Sequence, residues 1–139
     1  MSVPTGETAG DHVALSSVSC DLDLTPGHEV RRLVRGLLAD QDDRTVCDAV
    51  LVADELVSNA HRHGDAPRVC RIGVTQLGRC LRIEVDDASH EQPRLRTPDQ
   101  FGGCGLVLVD QLAESWGVRT DTRHKTAWAE LSLAGDSPR

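Results

Sequence analysis

Glu55, Asn59 and His63 recur at four-residue steps within Glu55-Leu56-Val57-Ser58-Asn59-Ala60-His61-Arg62-His63-Gly64. On an α-helix, at about 100° per residue, the three span roughly 80° of one face. Val46, Ala49, Val50, Ala53, Val57 and Ala60 gather on another face. A helix that packs a core along one side and shows carboxylate, carboxamide and imidazole along another is furnished for a ligand. Downstream, Asp87 follows an alternating apolar run, and Gly102-Gly103-Cys104-Gly105 opens a further apolar stretch. Phosphoryl transfer is mostly positioning and electrostatics, so a site needs a metal holder, donors around the phosphates and a base near the nucleophile. Asn59, the glycine turn and Glu55 are groups of those three types. A buried carboxylate at Asp87 would reward a purine bearing an exocyclic amine and be poorly paired by one bearing a carbonyl, which favours adenine over guanine.

Each feature also has a plainer explanation. The polar stripe fits a solvated helix face, and an aspartate at a strand exit is ordinarily a turn residue. The glycine cluster is not a Walker motif, because no Lys-Ser or Lys-Thr follows at the required spacing. Nor is it a dinucleotide fingerprint, because Leu108 stands where a third glycine belongs. His61 and His63 point apart on a helix, which argues against zinc. Ser58 and Ser89 lack the Gly-x-Ser-x-Gly elbow of hydrolases. Cys104 fits as a small residue in a turn, and Arg94 and Arg96 as solvated loop cations.

The elements that must position these groups follow from periodicity. Val13 to Cys20 alternates as a strand, and Thr25-Pro26 supplies an N-cap threonine with proline at the first helical position, opening a helix to about Asp40. Asp40, Asp42 and Asp43 mark a turn before the helix that carries the stripe, which stops at Gly64. Arg68 to Gln76 and Cys80 to Val85 predict an antiparallel hairpin around Leu77-Gly78-Arg79. Residues 88–101 hold two prolines and no apolar period and read as a lid. Leu106 to Ala113 predicts a third helix ended by Gly117, and Val118 to Thr122 with Thr126 to Leu133 a second hairpin. That order implies an α+β fold: a two-layer sandwich of helices on one face of a mostly antiparallel mixed sheet.

With 139 residues the chain suits one domain, expected over 12–134 between loose segments 1–11 and 135–139. Phe101, Trp116 and Trp128 are its aromatics, so Leu, Val and Ala must build the core. No apolar run reaches the roughly 20 residues of a membrane span, and no basic region precedes a hydrophobic stretch. A cytoplasmic protein without membrane contact is expected. Cysteines at 20, 47, 70, 80 and 104 form an odd set with no close pair, against both a disulfide framework and a thiolate zinc site. A net charge of −7 disfavours direct nucleic-acid binding.

Glu55-Leu56-Val57-Ser58-Asn59-Ala60, Val85-Asp86-Asp87-Ala88-Ser89, Gly103-Cys104-Gly105-Leu106 and Lys125-Thr126-Ala127-Trp128 resemble, in order and spacing, the four nucleotide-binding boxes of the histidine-kinase-like ATPases (GHKL, or Bergerat fold). The similarity covers roughly residues 13–133, and the short chain is similar to the bacterial anti-sigma-factor serine kinases. The resemblance implies ATP and Mg2+ as cofactors, with Asn59 coordinating the metal and Glu55 as general base toward a water or serine hydroxyl. It implies that Asp87 accepts from the adenine amino group and that Thr126 stands near the adenine with it. Gly103 and Gly105 would let backbone approach the phosphates, with Leu106 at the start of the helix behind them, and His63 would lie near the nucleotide. Its implied partners are a sigma factor and an anti-sigma-factor antagonist whose serine or threonine is phosphorylated, with a homodimer as the assembly.

Two positions depart from that group's pattern. Cys104 stands where arginine is frequent, and His124 where glycine is frequent. The missing guanidinium removes a charge-assisted contact to phosphate. These departures support an alternative, a nonenzymatic nucleotide-binding or partner-binding regulatory module of the same fold.

Overall fold

The computed structural model describes residues 14–75, 78–89 and 104–133. Its elements run β1 (Ala14–Asp21), α1 (Gly27–Leu37), α2 (Asp43–His63), β2 (Val69–Thr75), β3 (Cys80–Asp87), α3 (Cys104–Leu112), β4 (Ser115–Thr120) and β5 (Lys125–Ser132). The five strands form one sheet in the order β1-β2-β3-β5-β4, every neighbouring pair antiparallel. The α+β expectation holds, with a sheet that is wholly antiparallel rather than mixed among the described residues.

Alternation assigns the two faces. Cys70, Ile72 and Val74 of β2, Leu81, Ile83 and Val85 of β3, and Ala129 and Leu131 of β5 are buried in the core. They meet Val30 and Val34 of α1 and Ala49, Val52, Ala53, Leu56 and Ala60 of α2. Asp42 starts α2 by accepting a hydrogen bond from the Thr45 N–H at 2.8 Å, which satisfies one of the donors a helix start leaves open. The Thr45 hydroxyl and that N–H together hold the Asp42 carboxyl below its ordinary value. The helix then runs 21 residues, about 30 Å at 1.5 Å per residue, with α3 packed beside it.

The other face of the sheet is ionic. Arg71 bridges Glu84 and Asp86 at 2.9 and 2.8 Å, and Arg82 bridges Glu84 and Glu130, both at 2.7 Å. The Arg82 guanidinium also lies 4.5 Å from the ring centroid of Trp128, a cation–π contact over an indole that is 3% exposed.

Three local expectations are corrected. Pro26 rather than Thr25 is the N-cap of α1, whose first turn closes on the Pro26 carbonyl without any side-chain cap, and the helix ends at Leu37 rather than Asp40. Gly117 does not end a helix. It lies inside β4, where a Cβ would stand 3.1 Å from the Cζ2 and Nε1 of Trp128, so glycine relieves a tight contact with the indole. The second hairpin accordingly starts at Ser115, three residues earlier than its apolar pattern indicates. The proposed lid falls mostly on 90–103 and lies outside the described residues, as do 1–13 and 134–139.

Candidate functional site

The site is organised where the C-terminal end of α2 meets the exit of β3. Gly64 closes α2, its N–H bonding the Ala60 carbonyl at 2.9 Å. Its φ of −108° and ψ of 176° are extended backbone that any residue adopts. The reason for glycine is contact: a Cβ there would stand 2.5 Å from Oδ2 and 2.7 Å from Cβ of Asp87, and closer still to Cγ. One residue on, the Asp65 carbonyl accepts from the Ala88 N–H at 2.8 Å, so helix end and strand exit are tied through backbone as well.

Asp87 is 4% exposed. Alternation carries its side chain to the same face as Val85, toward the helices. One carboxylate oxygen accepts the Ser89 N–H at 2.7 Å, and the other lies 3.7 Å from Nζ of Lys125, itself 7% exposed and directly opposite in the ladder. A buried charge is tolerable only when paired and hydrogen-bonded, and both conditions are met. A carboxylate held this way has acceptor capacity left for a ligand amine.

Arg68 fixes the helix end from below. Its Nε donates to the Ala60 carbonyl at 3.0 Å, a second bond beside that from the Gly64 N–H, and its Nη2 donates to the Gly64 carbonyl at 2.9 Å. Its Nη1 bonds Asp23 at 2.6 Å. The Arg68 backbone N–H, together with that guanidinium, holds the Asp23 carboxyl below its ordinary value.

Glu55 and Asn59 lie on α2 upstream of this junction, both half-buried at the margin of the core-facing side, and His63 is exposed in the last turn. From Gly64 the axial distance back to Asn59 is about 7.5 Å and to Glu55 about 13.5 Å, so the two step away from Asp87 along one helix. Neither side chain is taken up by a hydrogen bond among the described residues. Gly105 is the second residue of α3 and Leu106 the third, half-buried against the core, while Gly103 lies outside the described residues.

Thr126 goes elsewhere. It pairs with Asp86, and its hydroxyl donates to Asp86 Oδ1 at 2.7 Å. Asp86 and Asp87 are consecutive on a strand and face opposite sides, so Thr126 joins the ionic face while Lys125 stands opposite Asp87. Burial alone would raise the Asp86 carboxyl, but hydrogen bonds from Arg71 and Thr126 outweigh it and hold the group below its ordinary value. Sequence reasoning also missed Gly64 as a contact residue and Lys125 as the buried counter-charge. The Gly64 signal was available in the glycine directly after His63, but its partner is 23 residues away.

A metal held by protein carboxylates alone has no support: no group of three or more His, Cys, Asp or Glu gathers among the described residues. The Asn59 carboxamide, half-buried on α2, offers one oxygen ligand. A cavity of about 460 Å3 lies on the face opposite the described helices, between Ser17, Ser19, Arg71, Thr75 and Arg82. It contains none of Glu55, Asn59 or Asp87, and its arginines are matched by the carboxylates described above. No described helix is long and apolar enough to cross a membrane.

The architecture, an antiparallel sheet with a long helix ending on a buried strand-exit aspartate, is a fold shared with known proteins. Two solved structures carry the comparison. The RsbU and RsbW domains of Rv1364c from Mycobacterium tuberculosis superpose with a TM-score of 0.63 at 21% identity, over 85% of this chain and 32% of that one. The histidine kinase domain of the blue-light activated histidine kinase of Erythrobacter litoralis EL346 superposes with a TM-score of 0.53 at 18% identity, over 92% of this chain and 66% of that one. The chain thus spans about a third of the first protein and two thirds of the second. No family model matches the sequence, and no curated protein matches it.

Proposed function

We propose that the protein is an ATP-binding regulator that holds a sigma factor and transfers the terminal phosphate of ATP to a serine or threonine of an antagonist protein. The observation that carries ATP binding is the buried Asp87 carboxylate, placed against Gly64 at the end of the helix that bears Glu55 and Asn59. In this reading Asp87 accepts the adenine amino group, with Lys125 and the Ser89 N–H fixing the carboxylate's orientation. Asn59 would hold Mg2+, which would supply positive charge against the charge that develops on the transferred phosphate. Glu55, one turn earlier on the same face, would take the proton from the attacking hydroxyl. The start of α3, with Gly105 and Leu106, would present backbone N–H groups to the phosphates, and Gly103 would join them. His63 would stand at the rim. Thr126 acts through Asp86 on the opposite face rather than on the adenine.

The regulatory part rests on the fold shared with the RsbW-containing neighbour. Calorimetric titration tests the pocket: Mg-ATP should bind in preference to Mg-GTP, and Asp87→Asn should weaken ATP by about ten- to a hundredfold, one charged hydrogen bond of roughly 1.5–3 kcal/mol. Equal affinity in the parent and Asp87→Asn would end the adenine assignment. Transfer of labelled phosphate to an antagonist should disappear in Glu55→Ala while Mg-ATP still binds. Binding without transfer in the parent protein would favour the nonenzymatic module, for which Cys104 and His124 speak.

A further inference from the structure

Two of the cysteines that lie far apart in sequence face each other across strands. Cys20 of β1 and Cys70 of β2 are direct partners in the antiparallel ladder. The Leu22 N–H bonds the Arg68 carbonyl at 2.9 Å, two residues further along the same ladder, which makes 20/70 a hydrogen-bonded pair. Such pairs set their Cα atoms about 5.5 Å apart, inside the range of roughly 4.4–6.8 Å that disulfides span. Both thiols are free, Cys70 is fully buried and Cys20 is half-buried.

The two sulfurs are chemically unequal. A hydrogen bond from the Cys70 thiol lowers the Cys20 pKa to about 7, against burial and the Asp21 and Glu29 carboxylates, which push it up. The same interaction and deep burial push Cys70 well above its ordinary value. Cys80, by contrast, is raised to about 11, chiefly by burial, and stays a thiol.

We propose that Cys20 and Cys70 form an oxidation site, a cross-strand thiol pair that a hydroperoxide converts to an intramolecular disulfide. The Cys20 thiolate attacks one peroxide oxygen, the O–O bond breaks, and the departing hydroxide takes a proton and leaves as water. Cys20 is then a sulfenic acid. The Cys70 sulfur attacks the Cys20 sulfur, the S–O bond breaks, and hydroxide leaves as a second water with the Cys70 proton. Two thiols lose two electrons and one hydrogen peroxide becomes two waters. Cys20 is the reachable partner, and Cys70 is placed only to resolve it. The bond would staple the edge strand to β2 and close a loop that contains both α1 and α2.

The test uses the full-length reduced chain and dilute hydrogen peroxide, followed by digestion without reductant and mass spectrometry. The expected product joins the Cys20 and Cys70 peptides, is retained in Cys47→Ser and is lost in Cys20→Ser. Cys70→Ala should leave a sulfenic acid on Cys20 that dimedone labels. The oxidised protein should melt higher by on the order of 10 °C, since the closed loop is long. A disulfide joining other cysteines, or a Cys20 that stays reduced or proceeds to sulfinic acid while Cys70 remains a thiol, would overturn the proposal. Should Cys70→Ala fail to fold, the parent and Cys20→Ser maps decide it.

Discussion

Gly64→Ala separates the steric reading of the α2 terminus from every simpler one. Replacing glycine by alanine at compatible backbone angles ordinarily stabilises a protein by about 0.4–1 kcal/mol, because the unfolded chain loses freedom. At Gly64 the angles are compatible, φ −108° and ψ 176°, so backbone strain contributes nothing. The added methyl would nevertheless stand 2.5 Å from Oδ2 and 2.7 Å from Cβ of Asp87. Asp87 cannot swing aside freely, because Ser89 holds one oxygen at 2.7 Å and Lys125 lies 3.7 Å from the other. Overpacking of this kind costs about 1–3 kcal/mol, so the net effect is a loss of roughly 1–2 kcal/mol. In urea, at about 1–3 kcal/mol per molar, the midpoint should fall by roughly 0.5–1 M with the slope unchanged. Repeating the substitution in an Asp87→Ala background should shrink the penalty, because two of the three clashing atoms are gone. A coupling of about 1 kcal/mol is expected from the cycle. If Gly64→Ala is as stable as the parent or more so, the carboxylate is not pinned beneath the helix end and the site described here is wrong.

Gly117→Ala should cost about 1–3 kcal/mol and perturb tryptophan fluorescence, since the methyl would meet the Trp128 ring at 3.1 Å; a silent substitution would mean the indole is free to move. Leu56→Ala, at a position 1% exposed, should lose about 2–5 kcal/mol in chemical denaturation. For pH, burial would raise both Glu84 and Asp86, but hydrogen bonds from Arg82 and Arg71 to Glu84, and from Arg71 and Thr126 to Asp86, depress them in the fold. Their contribution is therefore complete above the ordinary values of 4.5 and 3.8 and is lost as pH falls through the lower folded values. Arg71→Met should flatten that acid limb of a stability-versus-pH curve, and an unchanged limb would remove Arg71 from the account.

Most of the scaffold was legible from local pattern. Alternation located β2 and β3 to within two residues, and the 3.6-residue period located α2, because burial on one face leaves that signature in any chain that folds this way. What was not legible depends on residues meeting across the fold. Gly117 reads as a helix stop until Trp128, eleven residues later, is seen lying on it. Thr126 was expected beside Asp87, yet a shift of one residue between strands decides which side of the sheet it faces, and that register is a property of the pair β3/β5. Cys20 and Cys70 were read as unpaired for the same reason: strand neighbours need not be sequence neighbours.

Arg68 connects more than it caps. One guanidinium grips two carbonyls at the end of α2 and a carboxylate in the connection before α1, so the floor beneath Asp87 and the entry to the first helix share a single rivet. Any ligand that lifts Gly64 off Asp87 must pull on Asp23 as well. A shift at the end of α2 would thereby load the connection between the outer strand β1 and α1.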